Sequence, residues 1–196
     1  MIDPVYFDQN NAGVDPAIIE VNLSKETCSI NFGNGGKAII DYNPDLDIVE
    51  FYVAVPSGDY QAIGFGETME NTDMIAWFTN TTGCCPPVST PQQVSLYSLG
   101  QQQPMEVSPN IYNTTYVMVP LNSPTKTDFL STRPTGAPPG ANYSIPVNSP
   151  FPIIWAWSNT TYVSAHGPNN KGSARITLLK NGGCFMMKQK VFGFVP

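Results

Sequence analysis

Proline and glycine interrupt this chain too often for a helical fold. The 196 residues include 19 prolines and 16 glycines, and each either removes a backbone donor or frees the backbone for turns. Between them lie short runs of β character. In the clearest, Ile48 to Val55, the residues Val49, Phe51, Val53 and Val55 form a wholly apolar face, and Ile48, Glu50, Tyr52 and Ala54 form the other. A period of two is that of a strand with one face in a core.

Lys37 to Tyr42, Tyr60 to Phe65, Asp73 to Phe78, Tyr116 to Leu121, Ile153 to Trp157 and Ala174 to Leu179 read the same way, with a shorter strand at Val94 to Leu99. Residues 66–71 make the turn between the Tyr60 and Asp73 strands. The segment 86–109 is rich in Gln and Pro, and 122–152 carries Ser123-Pro124, Arg133-Pro134, Pro138-Pro139-Gly140 and Ser149-Pro150, so both are expected as long loops. The expectation is an all-β chain: an immunoglobulin-like antiparallel β-sandwich with long Pro-rich loops, with residues 1–196 as a single domain.

Charged residues make up only 12% of the chain, and the net charge is −6 with a pI near 4.5. No Lys/Arg cluster is present to neutralise phosphates, which argues against nucleic acid and anionic lipid as partners. No apolar run approaches the roughly 20 residues that span a bilayer.

Two features point to an oxidising compartment. Asn22, Asn80, Asn113, Asn142 and Asn159 each open an Asn-x-Ser/Thr sequon and are candidate glycosylation sites. Cys28, Cys84, Cys85 and Cys184 form an even set without a Cys-x-x-Cys spacing, which disfavours zinc and thioredoxin-type chemistry. Either Cys28 and Cys184 each bond one of the adjacent pair, or they bond each other as a staple; free buried thiols are the remaining option. The chain opens Met1-Ile2-Asp3-Pro4, without the basic start and apolar core of a signal peptide. It is therefore expected to be a mature or excised piece of a longer precursor, secreted or held at the extracellular face of a membrane.

Familiar enzyme templates do not fit. His166 is the single histidine, so a His-rich metal site is excluded, and no nucleophile elbow accompanies it. Gly33-Asn34-Gly35-Gly36-Lys37 lacks the spacing of a phosphate-binding loop and reads as a strand-entry turn. No Cys-x-x-Cys-His is present, so a haem would have to be held without thioether links.

One ordered set of residues remains: the apolar strand Ala62-Ile63-Gly64-Phe65, a Met at position 69, Asp73-Met74 opening the next strand, then Trp155-Ala156-Trp157 and, further on, His166-Gly167. In this order and spacing, from about Lys37 to Leu179, the chain resembles the DOMON family of extracellular β-sandwich modules. Its haem-binding branch includes the cytochrome domain of cellobiose dehydrogenase.

The resemblance implies one non-covalent haem b with Met69 and His166 as axial iron ligands, and with Gly64, Phe65, Gly66, Trp77 and Trp155 around it. Thioether and neutral imidazole are both competent iron ligands. Met74 falls within its strand and is expected to pack, and Asp73 to bond turn amides at the strand start. With both ligands on iron no coordination position is open, which implies single-electron transfer rather than catalysis. The partner would be a flavin dehydrogenase, a membrane b-type cytochrome, or another copy of the chain. A reading from a different class is a haem-free extracellular sandwich that binds sugar or other ligands, or mediates assembly.

Overall fold

A computed structural model of the chain describes residues 27–79, 91–100, 104–107, 112–117, 125–159 and 169–188. These residues contain strands β1 (Cys28–Asn31), β2 (Lys37–Asn43), β3 (Ile48–Pro56), β4 (Tyr60–Gly64), β5 (Thr72–Phe78), β6 (Gln92–Ser98), β7 (Met105–Glu106), β8 (Asn113–Val117), β9 (Lys126–Pro134), β10 (Phe151–Ser158), β11 (Lys171–Leu178) and β12 (Cys184–Lys188). One sheet has the order β1-β2-β3-β9-β8 and the other β12-β11-β10-β4-β5-β6-β7. Pairings between these strands are antiparallel throughout. No helix occurs among the described residues, so the expected all-β sandwich of immunoglobulin-like build is the fold adopted.

The alternation read in Ile48 to Val55 is the reason the sheets stack. Val49, Phe51, Val53 and Val55 point inward and meet Ile63, Ile75 and Trp77 of the facing sheet, in one buried cluster that also takes in Ile153, Ile176 and Leu178. Trp77 reaches across the gap, and its indole N–H donates to Ser131 Oγ at 2.9 Å. Of the two pairings open in the sequence, the staple forms: Cys28 on β1 is bonded to Cys184 on β12, tying one sheet to the other. Cys84 and Cys85 lie outside the described residues.

The expectation that 122–152 is one irregular excursion is wrong for its first part. Lys126–Pro134 is β9, which pairs β3 on one side and β8 on the other. Its inward positions after Phe129 are Ser131 and Arg133, and both are buried, so a polar inner face hid the apolar alternation that marks a strand. The strand expected at Tyr116 to Leu121 overlaps β8 (Asn113–Val117) at Tyr116 and Val117, and residues 118–121 lie outside the described residues. Strands β1 and β12 were not anticipated at all; each is short, four or five residues, and held by its neighbour and the disulfide.

Arg133 is 1% exposed. Its guanidinium lies 5.4 Å from the Phe65 ring centroid and 5.8 Å from that of Tyr112, and it donates to the Tyr143 carbonyl. Across the core, Asp73 Oδ2 accepts from the Asn142 and Tyr143 backbone N–H groups at 2.8 and 2.7 Å. Cation and anion thus grip one peptide segment from opposite sides and pin residues 135–150 to the edge of the sandwich. Burial pushes the Tyr112 hydroxyl pKa up to about 12, with Arg133 opposing the shift. Asp73 does bond backbone amides, as expected, but those of a segment 69 and 70 residues away rather than its own turn.

Candidate cofactor site on the outer face of the seven-stranded sheet

In an antiparallel sandwich the outward face of each sheet is ordinarily polar and solvated. In the middle of the seven-stranded sheet it is not. Strands β4 and β5 are buried at every position. Their outward residues Tyr60, Ala62, Met74, Ala76 and Phe78, with Leu96 of β6, form a second buried cluster separate from the inter-sheet core.

Strand register explains the shape of this face. Ala156, Ala62, Ala76 and Val94 stand side by side across β10, β4, β5 and β6, and the adjacent row is Ile154, Gly64, Met74 and Leu96. The result is a row of small apolar side chains crossing four strands, flanked by larger ones. Tyr60 and Phe78 stack at 5.6 Å at one end of it.

Met69 sits at the other end. Its side chain, partly buried, packs against this outer cluster and not against the inter-sheet core. It is carried by the β4–β5 loop, whose ends are drawn together where the Phe65 N–H donates to the Asp73 carbonyl at 2.9 Å. Arg175, outward on β11, ion-pairs with Glu67 of the same loop. That ties a cation to the loop that carries Met69, where the sequence offered no way to choose among the cations. Met74 is buried in the floor, as expected from its place in the strand.

The other residues implied around the cofactor divide between the two faces. Gly64 is in the outer row; a Cβ there would stand 3.0 Å from both Ile154 Cγ1 and Thr72 Cγ2. At Gly66 a Cβ would stand 2.7 Å from Thr72 Oγ1. Both glycines therefore make room for Thr72. Phe65 and Trp77 belong to the inter-sheet core, and Trp155 packs against it. Packing alone accounts for those three.

His166 lies outside the described residues. It belongs to the connection from Ser158, the last residue of β10, to Lys171, the first of β11. Ser158 is paired with Tyr60, and Gly64 with Ile154, so this connection and the Met69 loop leave opposite ends of β4, about 13 Å apart at ~3.3 Å per residue. Asn113, Asn142 and Asn159 are exposed; Asn22 and Asn80 lie outside the described residues. Among the described residues no group of three or more His, Cys, Asp or Glu is arranged to hold a metal ion, and no helix is long and apolar enough to cross a membrane.

Two solved cytochrome domains share this fold. The cytochrome b domain of pyranose dehydrogenase from Coprinopsis cinerea matches with a TM-score of 0.56 at 11% identity, over 76% of this chain and 81% of that one. The cytochrome domain of Myriococcum thermophilum cellobiose dehydrogenase matches with a TM-score of 0.52 at 12% identity, over 84% and 82%. No family model and no curated protein matches the chain. At such identities the likeness is one of fold.

The second apolar face could have been found in the sequence. Thr72-Asp-Met-Ile-Ala-Trp-Phe78 has small or apolar residues at all but one position, the mark of a strand covered on both sides.

Proposed function

We propose that the chain is a b-type haem electron-transfer module, with the haem held over the outer face of the seven-stranded sheet between Met69 and His166. The observation that carries this reading is the second buried apolar cluster, with a thioether at its rim, on a face that the sandwich does not need for its own core. The fold shared with two cytochrome domains supports it. So does the chain path, since the segments that carry the two proposed donors, Met69 and His166, leave opposite ends of β4.

The residues fit the group. The row Ala156, Ala62, Ala76 and Val94 would give the macrocycle an apolar lining of small side chains, and its burial leaves a low-dielectric setting. Met69 and His166 would hold the iron, supplying a thioether and an imidazole, two donors without a charge. Arg175 and Lys171, both outward on β11, would be the cations for the macrocycle's acidic edge. When bound, haem supplies a one-electron iron couple, and a thioether on one side favours its ferrous form. The disulfide and the exposed sequons Asn113, Asn142 and Asn159 support a secreted or extracellular location. A dehydrogenase flavin domain, a membrane b-type cytochrome or a second copy of the chain would be the redox partner.

His166→Ala is expected to abolish the low-spin spectrum of the haem-loaded protein. Met69→His is expected to keep the haem and lower its potential. An unchanged spectrum in His166→Ala refutes the ligand assignment.

A further inference from the structure

The loop that carries Met69 is built around one hydroxyl. Thr72 is 1% exposed, and its Oγ1 lies 2.7 Å from the Thr68 carbonyl and 3.1 Å from the Glu70 carbonyl. Thr68 and Glu70 are the chain neighbours of Met69: the Thr68 carbonyl belongs to the peptide that enters Met69, the Glu70 carbonyl to the peptide that leaves Glu70. A single hydroxyl has one proton, so Thr68 at the shorter distance is its main acceptor and Glu70 the minor one.

The rest of the loop is arranged to keep this contact. Gly66 leaves space for the hydroxyl and Gly64 for the methyl of Thr72. The Glu70 N–H donates to Thr68 Oγ1 at 3.2 Å, and Asn71 takes the left-handed backbone conformation at φ 50° that returns the chain to β5.

We infer that Thr72 is the positioning residue of Met69. Its hydroxyl holds the carbonyl groups of Thr68 and Glu70, the residues before and after the methionine, before any ligand arrives, so the thioether is presented to the outer face at little ordering cost on binding. Thr72 itself touches no reacting atom. The part of this inference that concerns iron ligation rests on the haem reading; the part that concerns the loop does not.

Thr72→Val keeps the branched shape and removes the hydroxyl, whereas Thr72→Ser keeps the hydroxyl and removes the methyl. In the cofactor-free full chain, amide hydrogen exchange of residues 66–71 should be about tenfold faster in Thr72→Val, as the loss of one buried hydrogen bond requires, and within about threefold of wild type in Thr72→Ser. Thr72→Ala should behave as Thr72→Val does and serves in its place if the valine variant does not fold. Ser131→Ala, which removes the acceptor of the Trp77 indole, is the control for general destabilisation and should leave those amides unchanged.

In the haem-loaded protein, added imidazole competes with Met69 for the iron. Thr72→Val should bind it about tenfold more tightly than wild type and Thr72→Ser should not. Wild-type exchange rates in Thr72→Val, equal acceleration in Thr72→Ser, or equal acceleration in the Ser131→Ala control would each overturn the inference. If the wild-type chain takes up no haem, the proposed function fails, and the exchange comparison alone decides the role of Thr72.

Discussion

Replacing both Cys28 and Cys184 by alanine is expected to lower the unfolding free energy by about 3–5 kcal/mol. The bond closes a loop of sequence separation 156, and a cross-link over so long a loop removes much of the freedom of the unfolded chain. It also joins the end strands β1 and β12, which belong to different sheets. Each has a paired neighbour on one side, β2 and β11 respectively, so the disulfide supplies what a further strand would have supplied. For a chain of this length the loss corresponds to roughly 10 °C in Tm. Urea unfolding of the double variant beside the oxidised wild type measures it, and coincident midpoints would show that the staple is not stabilising.

Asp73→Ala is expected to cost about 3–5 kcal/mol, the loss typical of removing one partner from a buried charge arrangement. The carboxylate accepts two backbone N–H groups from residues 142 and 143. Arg133 holds the carbonyl of the same Tyr143. Without Asp73, the amides lose their acceptor and Arg133 is left as a buried charge with no anion opposite. Adding Arg133→Leu removes that charge and should recover part of the loss, so the double variant should be more stable than the sum of the two single changes predicts. Chemical denaturation of the four proteins completes the cycle. Strictly additive losses would mean that the two charges do not communicate through the Tyr143 peptide.

Much of the fold was legible because β3 and β5 carry their instructions locally. Val49, Phe51, Val53 and Val55 can only be the buried face of a strand, and Gly35-Gly36 and Asn43-Pro44 bound β2 by turn chemistry alone. What escaped were β1 and β12, too short to show a period, and β9, whose inward side chains are polar and gain their partners from distant chain. Ser131 reads as a loop residue until Trp77, 54 positions away, donates to it; Arg133 reads as a surface cation until Phe65 and Tyr112 close over it.

The candidate site was legible in the same uneven way. Met69 stood out by its position in the resemblance, and the structure packs it on an apolar face. Arg175 could not be told from other cations, because facing Glu67 depends on the register of β11. Gly64 and Gly66 were read as room for a ligand, whereas the space beside them is filled by Thr72. The resemblance implies Trp77 and Trp155 around the cofactor, and strand alternation places both on the inter-sheet side of the sheet.

The central claim is that the outer face of the seven-stranded sheet holds a haem. An absorption spectrum of the purified full chain, as isolated and after addition of haem, tests it most directly. The account predicts a Soret band with sharp visible bands on reduction. A colourless protein that gains no such spectrum when haem is supplied would contradict it and favour a haem-free binding or assembly module.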